Sequence, residues 1–258
     1  METEVLYDLS PFARIFNDCP VERLWGTDTV PPSLDKKTRV QSKDRQSVFL
    51  QKLPVLVYYH GGCFIFETAW SLTCRNYLND LVVVAVSIEY RRAPPDPLPA
   101  AYDDSGLPSS GWPLTPHSHG NGPRNSAGAN IVHNMGIRLG EIKLNGIKIA
   151  GIMMSFYEMF WQAANPTTTG CDLLINPMQD MRLSGLDWNK VLVCVAGKNV
   201  LKYIGRYYKE ALSQSVCSGV VEGMETPGED HVFHLLNPGC DDAVKLMKKL
   251  VSFMNEDT

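Results

Sequence analysis

Three short stretches of this 258-residue chain hold residue types that could move an acyl group. Ser126, in Gly-Pro-Arg-Asn-Ser-Ala-Gly-Ala-Asn, offers a hydroxyl for nucleophilic attack. Small residues and a helical pattern follow it, so the N–H of Ala127 can turn into a site with the positive end of a helix behind it. His60-Gly61-Gly62-Cys63-Phe64 comes directly after an apolar run. Its glycines suit a loop whose backbone approaches a substrate and leaves N–H groups to hold a developing oxyanion. His231, in Gly-Glu-Asp-His-Val-Phe-His, is a base that could take the serine proton. His234, three residues on, is read as structural. Singly, each stretch has a plain alternative: a chance Ser-Ala-Gly, an ordinary glycine turn, a surface histidine. Together, in this chain order, they describe ester cleavage by an activated serine.

Such chemistry needs a rigid frame, and the hydrophobic pattern supplies one. Pro54 to Tyr59 is a continuous apolar run that stops at the glycine pair, which predicts a buried parallel strand and a tight loop. Leu81 to Tyr90 predicts a second, ended by Arg-Arg-Ala-Pro-Pro-Asp-Pro. After Ser126, residues Ala129, Ile131, Val132, Met135 and Leu139 recur at helical spacing, with Gly140 placed to end the helix. Ile147–Phe156 and Val191–Gly197 predict further strands, and the pattern is helical from Val200 to Ser213. A short fifth strand, Gly219–Thr226, leads into the loop of His231. Asp241 to Met254 predicts an amphipathic helix that buries Val244, Met247, Leu250, Val251 and Met254. Strands alternating with helices indicate an α/β fold, a mostly parallel sheet covered on both faces. Residues 1–53 read as an irregular N-terminal segment and 54–258 as the α/β domain. The polar stretch between Asp104 and Ser126, crowded with Gly, Pro, Ser and His, does not read as a central strand.

Composition narrows the partners. With 44% hydrophobic and 20% charged residues, the chain reads as one globular domain with a substantial core. A net charge of -4 gives no broad footprint for nucleic acid or an anionic membrane, so a small molecule is the expected partner. Seven scattered cysteines without a C-x-x-C pair point to reduced thiols rather than disulfides or zinc. The acidic start lacks the pattern of a secretory signal and no apolar run is long enough to span a bilayer, which makes a cytoplasmic location the expectation. The pattern says nothing of oligomeric state.

The blocks HGGCF, SIEYRRAP, NSAGANIVHN, VLVCVAGKN and GEDHVFHL, taken in order, resemble the plant carboxylesterases of the hormone-sensitive-lipase-like α/β-hydrolase family. The resemblance runs from Tyr-Asp-Leu-Ser-Pro-Phe near the start to Leu-Val-Ser-Phe-Met-Asn near the end. It implies a serine esterase that acts on small acyl esters without a cofactor. The nucleophile would be Ser126, the base His231, and the oxyanion contacts Gly61, Gly62, Cys63 and Ala127. The chain departs from the family's pattern at the chemistry itself. Asn199 stands where the family has the aspartate of its triad, Arg124 and Asn125 stand where it has glycine and aspartate, and Cys63 replaces a third glycine. The polar stretch is also short, so the sheet is expected to lack one or more elements of the full fold. Impaired turnover is therefore expected, and gibberellin receptors, which resemble the same family, offer the alternative of holding a small hydrophobic ligand without turnover. Isoflavanone dehydratases resemble it as well.

Overall fold

The computed structural model describes residues 4–17, 20–44, 55–81, 84–106, 116–120, 127–142, 148–150, 158–167, 173–174, 176, 179–186, 190–199, 202–215 and 219–255. Six strands, β4 (Val55–Tyr59), β5 (Ala85–Ile88), β6 (Pro116–Gly120), β7 (Lys148–Ala150), β8 (Lys190–Ala196) and β9 (Val220–Thr226), form one sheet in the order β5-β4-β6-β7-β8-β9. Every pairing in it is parallel. The apolar runs explain this: Leu56 to Tyr59 and Val191 to Ala196 are buried without alternation, as strands covered on both faces must be.

Two apolar layers do the covering. One contains α3 (Ala127–Ile142), α2 (Ala100–Asp104), α4 (Glu158–Ala164) and α5 (Lys202–Gln214), and it buries Ala127, Ile131, Val132, Trp161 and Tyr208 against Val57, Tyr59 and Val193. The other, from α1 (Leu72–Leu81), α6 (Phe233–Leu236) and α7 (Asp241–Asn255), packs Tyr77, Leu235, Leu250 and Phe253 with Leu56, Tyr58 and Leu192. The chain leaves β4 for β5 on one side and later returns to β6 on the other. The turning point of the topology thus lies at β4, where open parallel sheets bind ligands.

Four expectations change. Pro116–Gly120, read as unable to be a central strand, pairs with β4 from Val55↔Pro116 to Tyr59↔Gly120 and with β7 from His117↔Lys148 to His119↔Ala150. Two flanking ladders supply partners for its backbone groups, which outweighs weak strand propensity, and Pro116 sits at the first residue, where a missing N–H costs least. Near the N-terminus, β1 (Val5–Leu9), β2 (Ala13–Phe16) and β3 (Val21–Arg23) form an antiparallel sheet where no regular structure was expected. Its Leu9, Ala13 and Ile15 join the first apolar layer, and Phe12 stacks on Phe66 at 5.3 Å. Tertiary burial, not local pattern, makes these short strands. Helix α3 runs through Gly140 to Ile142, since an interior glycine costs a helix only about 1 kcal/mol. Finally, α7 buries Ala243, Leu246, Leu250 and Phe253 together with Met254, leaving Val244 exposed. Two apolar stripes one residue apart compete there, and the one carrying Phe253 removes more apolar area from water.

The strand expected over Ile147–Phe156 is present at Lys148–Ala150, and the rest of that stretch lies outside the described residues. Among the described residues no helix is long and apolar enough to cross a membrane. Cys63, Cys74, Cys194 and Cys240 are free thiols.

Candidate active site

The parallel sheet brings the chemistry-bearing stretches to one edge. His60 to Cys63 follow the carboxyl end of β4, α3 begins after β6, Asn199 follows β8 and His231 follows β9. Ser126 itself lies outside the described residues, as do Arg124 and Asn125, whereas its neighbour Ala127 is the buried first residue of α3.

The loop after β4 is held by its carbonyl groups. The buried Tyr90 hydroxyl lies 2.8 Å from the His60 carbonyl and 3.0 Å from that of Gly61, donating into the pair. Burial keeps the Tyr90 phenol well above its ordinary pKa, so it remains a donor. His60 Nδ1–H donates to the Gly61 carbonyl at 2.8 Å, which leaves Nε2 facing Glu89 at 3.5 Å, while its ring stacks on Tyr90 at 4.1 Å. Burial disfavours the Glu89 carboxylate, but His60, the Ala69 N–H and Arg92 together hold its carboxyl below the ordinary value. A trans peptide sets its N–H opposite its C=O. The amides of Gly61 and Gly62 share peptide planes with the two tethered carbonyls and therefore face away from Tyr90.

Backbone conformation explains the glycine at 62. Its φ is +93°, and a Cβ there would come 2.0 Å from the Phe66 carbonyl oxygen. Cys63 follows with φ 56°, a left-handed conformation that costs a side-chain-bearing residue on the order of 1–3 kcal/mol, and its thiol is fully buried. Gly128 brings the two stretches together: a Cβ on it would meet the Tyr59 carbonyl oxygen at 2.2 Å and that of His60 at 3.0 Å. The first turn of α3 thus rests on the end of β4.

On the other side, the loops after β8 and β9 are laced to each other. The Gly197 N–H donates to the Thr226 carbonyl and the Lys198 N–H to that of Glu229, both at 2.8 Å. This registers Asn199 against His231, whose Nδ1 lies 2.8 Å from the Asn199 Nδ2 in a buried contact. The neighbouring Asp230 accepts from the His231 backbone N–H at 2.6 Å rather than from its ring. With the amide nitrogen facing Nδ1, the amide donates and Nδ1 accepts, so the neutral ring carries its proton on Nε2. Reversing the amide would present its oxygen to an Nδ1–H and make Nε2 the acceptor. In either arrangement the Asn199 group that faces Nδ1 is an uncharged amide.

Sequence reading missed the roles of Glu89 and Tyr90. The signal was their position at the end of the second expected strand, which the pairing of β5 with β4 brings beside the glycine loop. Among the described residues, no group of three His, Cys, Asp or Glu side chains could hold a metal ion.

Comparison with known proteins fits this geometry. A family model described as alpha/beta hydrolase fold matches residues 56–115. The chain is 36% identical to a protein named probable carboxylesterase 5 from Arabidopsis thaliana, covering 98% of this chain and 99% of that protein. It is 34% identical to a 2-hydroxyisoflavanone dehydratase from Glycyrrhiza echinata, covering 97% and 96%. The first match runs over 323 positions, more than the 258 residues here, so that relative carries internal segments this chain does not. Among solved structures, the Pyrobaculum calidifontis esterase shares the fold with a TM-score of 0.62 at 20% identity, covering 78% of this chain and 76% of that one. With a parallel sheet, a glycine loop after β4 and a paired histidine after β9, the chain belongs to the plant carboxylesterase family of hormone-sensitive-lipase-like α/β hydrolases.

Proposed function

We propose that the protein is a serine carboxylic ester hydrolase for small acyl esters, with Ser126 as nucleophile, His231 as base and the amides of Gly61, Gly62, Cys63 and Ala127 as oxyanion donors. The observation that carries this reading is the buried Asn199–His231 pair, set on the same sheet edge as the glycine loop and the start of α3. In the reaction, the Asn199 amide is reversed so that its oxygen accepts from Nδ1–H and Nε2 is an acceptor, and the Ser126 oxygen bonds to the ester carbonyl carbon as its proton passes to His231 Nε2. The C–O bond to the alcohol then breaks, and the alcohol leaves with that proton. Water, deprotonated by the same histidine, releases the acid. On this reading, an amide at 199 in place of a carboxylate puts no negative charge at His231 Nδ1 from that position, which slows turnover.

Hydrolysis of p-nitrophenyl butyrate checks this. The wild-type chain is expected to exceed the spontaneous rate, and Ser126→Ala and His231→Ala are expected to fall to it. A rate retained in Ser126→Ala would remove the serine from the mechanism. The neutral amide also favours a second reading, in which the pocket holds a small hydrophobic ligand without turnover. That reading expects no hydrolysis from the wild-type chain and unchanged ligand affinity in Ser126→Ala.

A further inference from the structure

A cavity with a buried, unused polar group lies away from this edge, on the sheet face covered by α1, α6 and α7. It has a volume of about 550 Å³, within the range of small-molecule sites. Its walls are largely apolar, with Leu72, Tyr77, Leu235, Leu246 and Met247 among them. His234 also lines it and is 5% exposed, its ring edge-on to Tyr77 at 5.6 Å. Among the described residues, neither His234 nitrogen has a hydrogen-bond partner. A buried imidazole without partners loses its hydration for no return, a cost that a ligand's polar group would offset. Burial pushes its pKa down to about 4, so at neutral pH the ring is uncharged and offers one N–H and one acceptor nitrogen.

The charges around the cavity are unequal. Lys37 is already paired with Asp80 at 3.1 Å. Lys248 is exposed, lines the cavity, and has no ion pair among the described residues. The neighbouring Lys245 and Lys249 are instead engaged by Asp242 and Glu222. The site therefore combines an apolar interior, a neutral hydrogen-bonding ring and, among the described residues, one uncompensated cation.

We propose that this cavity binds an apolar monocarboxylic acid, its hydrocarbon body against Tyr77, Leu235 and Met247 and its carboxylate drawn to Lys248, independently of the site at the strand ends. The acid's polar atoms are within the chemistry His234 can satisfy, and its single negative charge matches the Lys248 ammonium, the one cation lining the cavity without an ion pair among the described residues. An uncharged hydrocarbon would leave both groups unused, and a dianion would meet Asp80 at the rim.

Octanoate is the probe, added to the full chain labelled with ¹³C at its methionine methyl groups. The Met247 signal, assigned with Met247→Leu, reports this cavity alone. It is expected to shift saturably at millimolar octanoate. The apparent Kd is expected to rise roughly tenfold in Val244→Trp, which fills the cavity from an exposed wall position, and about three- to fivefold in Lys248→Gln. Both substitutions are at exposed positions, so the fold is retained. An unmoved Met247 signal, or one that moves with the same Kd in all three proteins, overturns the proposal.

Discussion

Replacing Asn199 with aspartate is expected to raise kcat for short-chain aryl esters by about 10²- to 10⁴-fold. The converse change, aspartate to asparagine in a serine protease triad, lowers kcat by about 10⁴. The geometry for the reverse step is in place: the side chain at 199 already lies 2.8 Å from His231 Nδ1 in a buried setting. A carboxylate there can only accept, so Nδ1 must carry the proton and Nε2 becomes the acceptor that the serine hydroxyl requires. The same charge stabilises the imidazolium once the proton has moved. Steady-state rates with p-nitrophenyl butyrate measure the effect. If kcat of Asn199→Asp equals or falls below that of the wild-type chain, Asn199 is not what limits turnover.

The second large effect concerns support rather than chemistry. Gly128→Ala places a methyl group 2.2 Å from the Tyr59 carbonyl oxygen, a backbone atom in a central strand that cannot swing aside. Overpacking costs typically 1–3 kcal/mol, and this contact is at the upper end, about 3 kcal/mol. For a chain of this size, that lowers Tm by roughly 6–12 °C. Activity should fall with it, because the start of α3 can no longer rest on the loop after β4. Gly239→Ala is the control, since a Cβ there meets nothing within 4 Å. Equal melting temperatures for the two variants would show that α3 does not dock as described.

How far the sequence reveals this molecule depends on where each signal originates. Strands β4 and β8 are legible because burial on both faces demands continuous apolar runs, and Leu56–Tyr59 and Val191–Ala196 are such runs. Pro116–Gly120 is not, because its place between β4 and β7 comes from backbone ladders that any sequence can join. The β1–β3 sheet depends on Phe12 meeting Phe66, more than fifty residues away, which no local window contains. For α7, periodicity finds the helix but cannot choose between stripes one residue apart.

The site divides in the same way. The glycine loop and His231 can be found by motif, since a φ of +93° at Gly62 leaves a mark in composition. The Asn199–His231 contact comes from the family's motif rather than from spacing, because it joins loops after different strands. The Tyr90 hydroxyl, which ties both loop carbonyls, and the His60–Glu89 pair arise only when β5 settles beside β4.

The central claim is that Ser126 is an activated nucleophile. Intact-mass spectrometry after reaction with a fluorophosphonate ester tests it most directly, because only a serine with a base and oxyanion donors in place is phosphonylated quickly. The expected result is a single adduct on the wild-type chain, located to the peptide containing Ser126, and no adduct on Ser126→Ala. An adduct of equal extent on both proteins, or none on a folded wild-type chain, would contradict it.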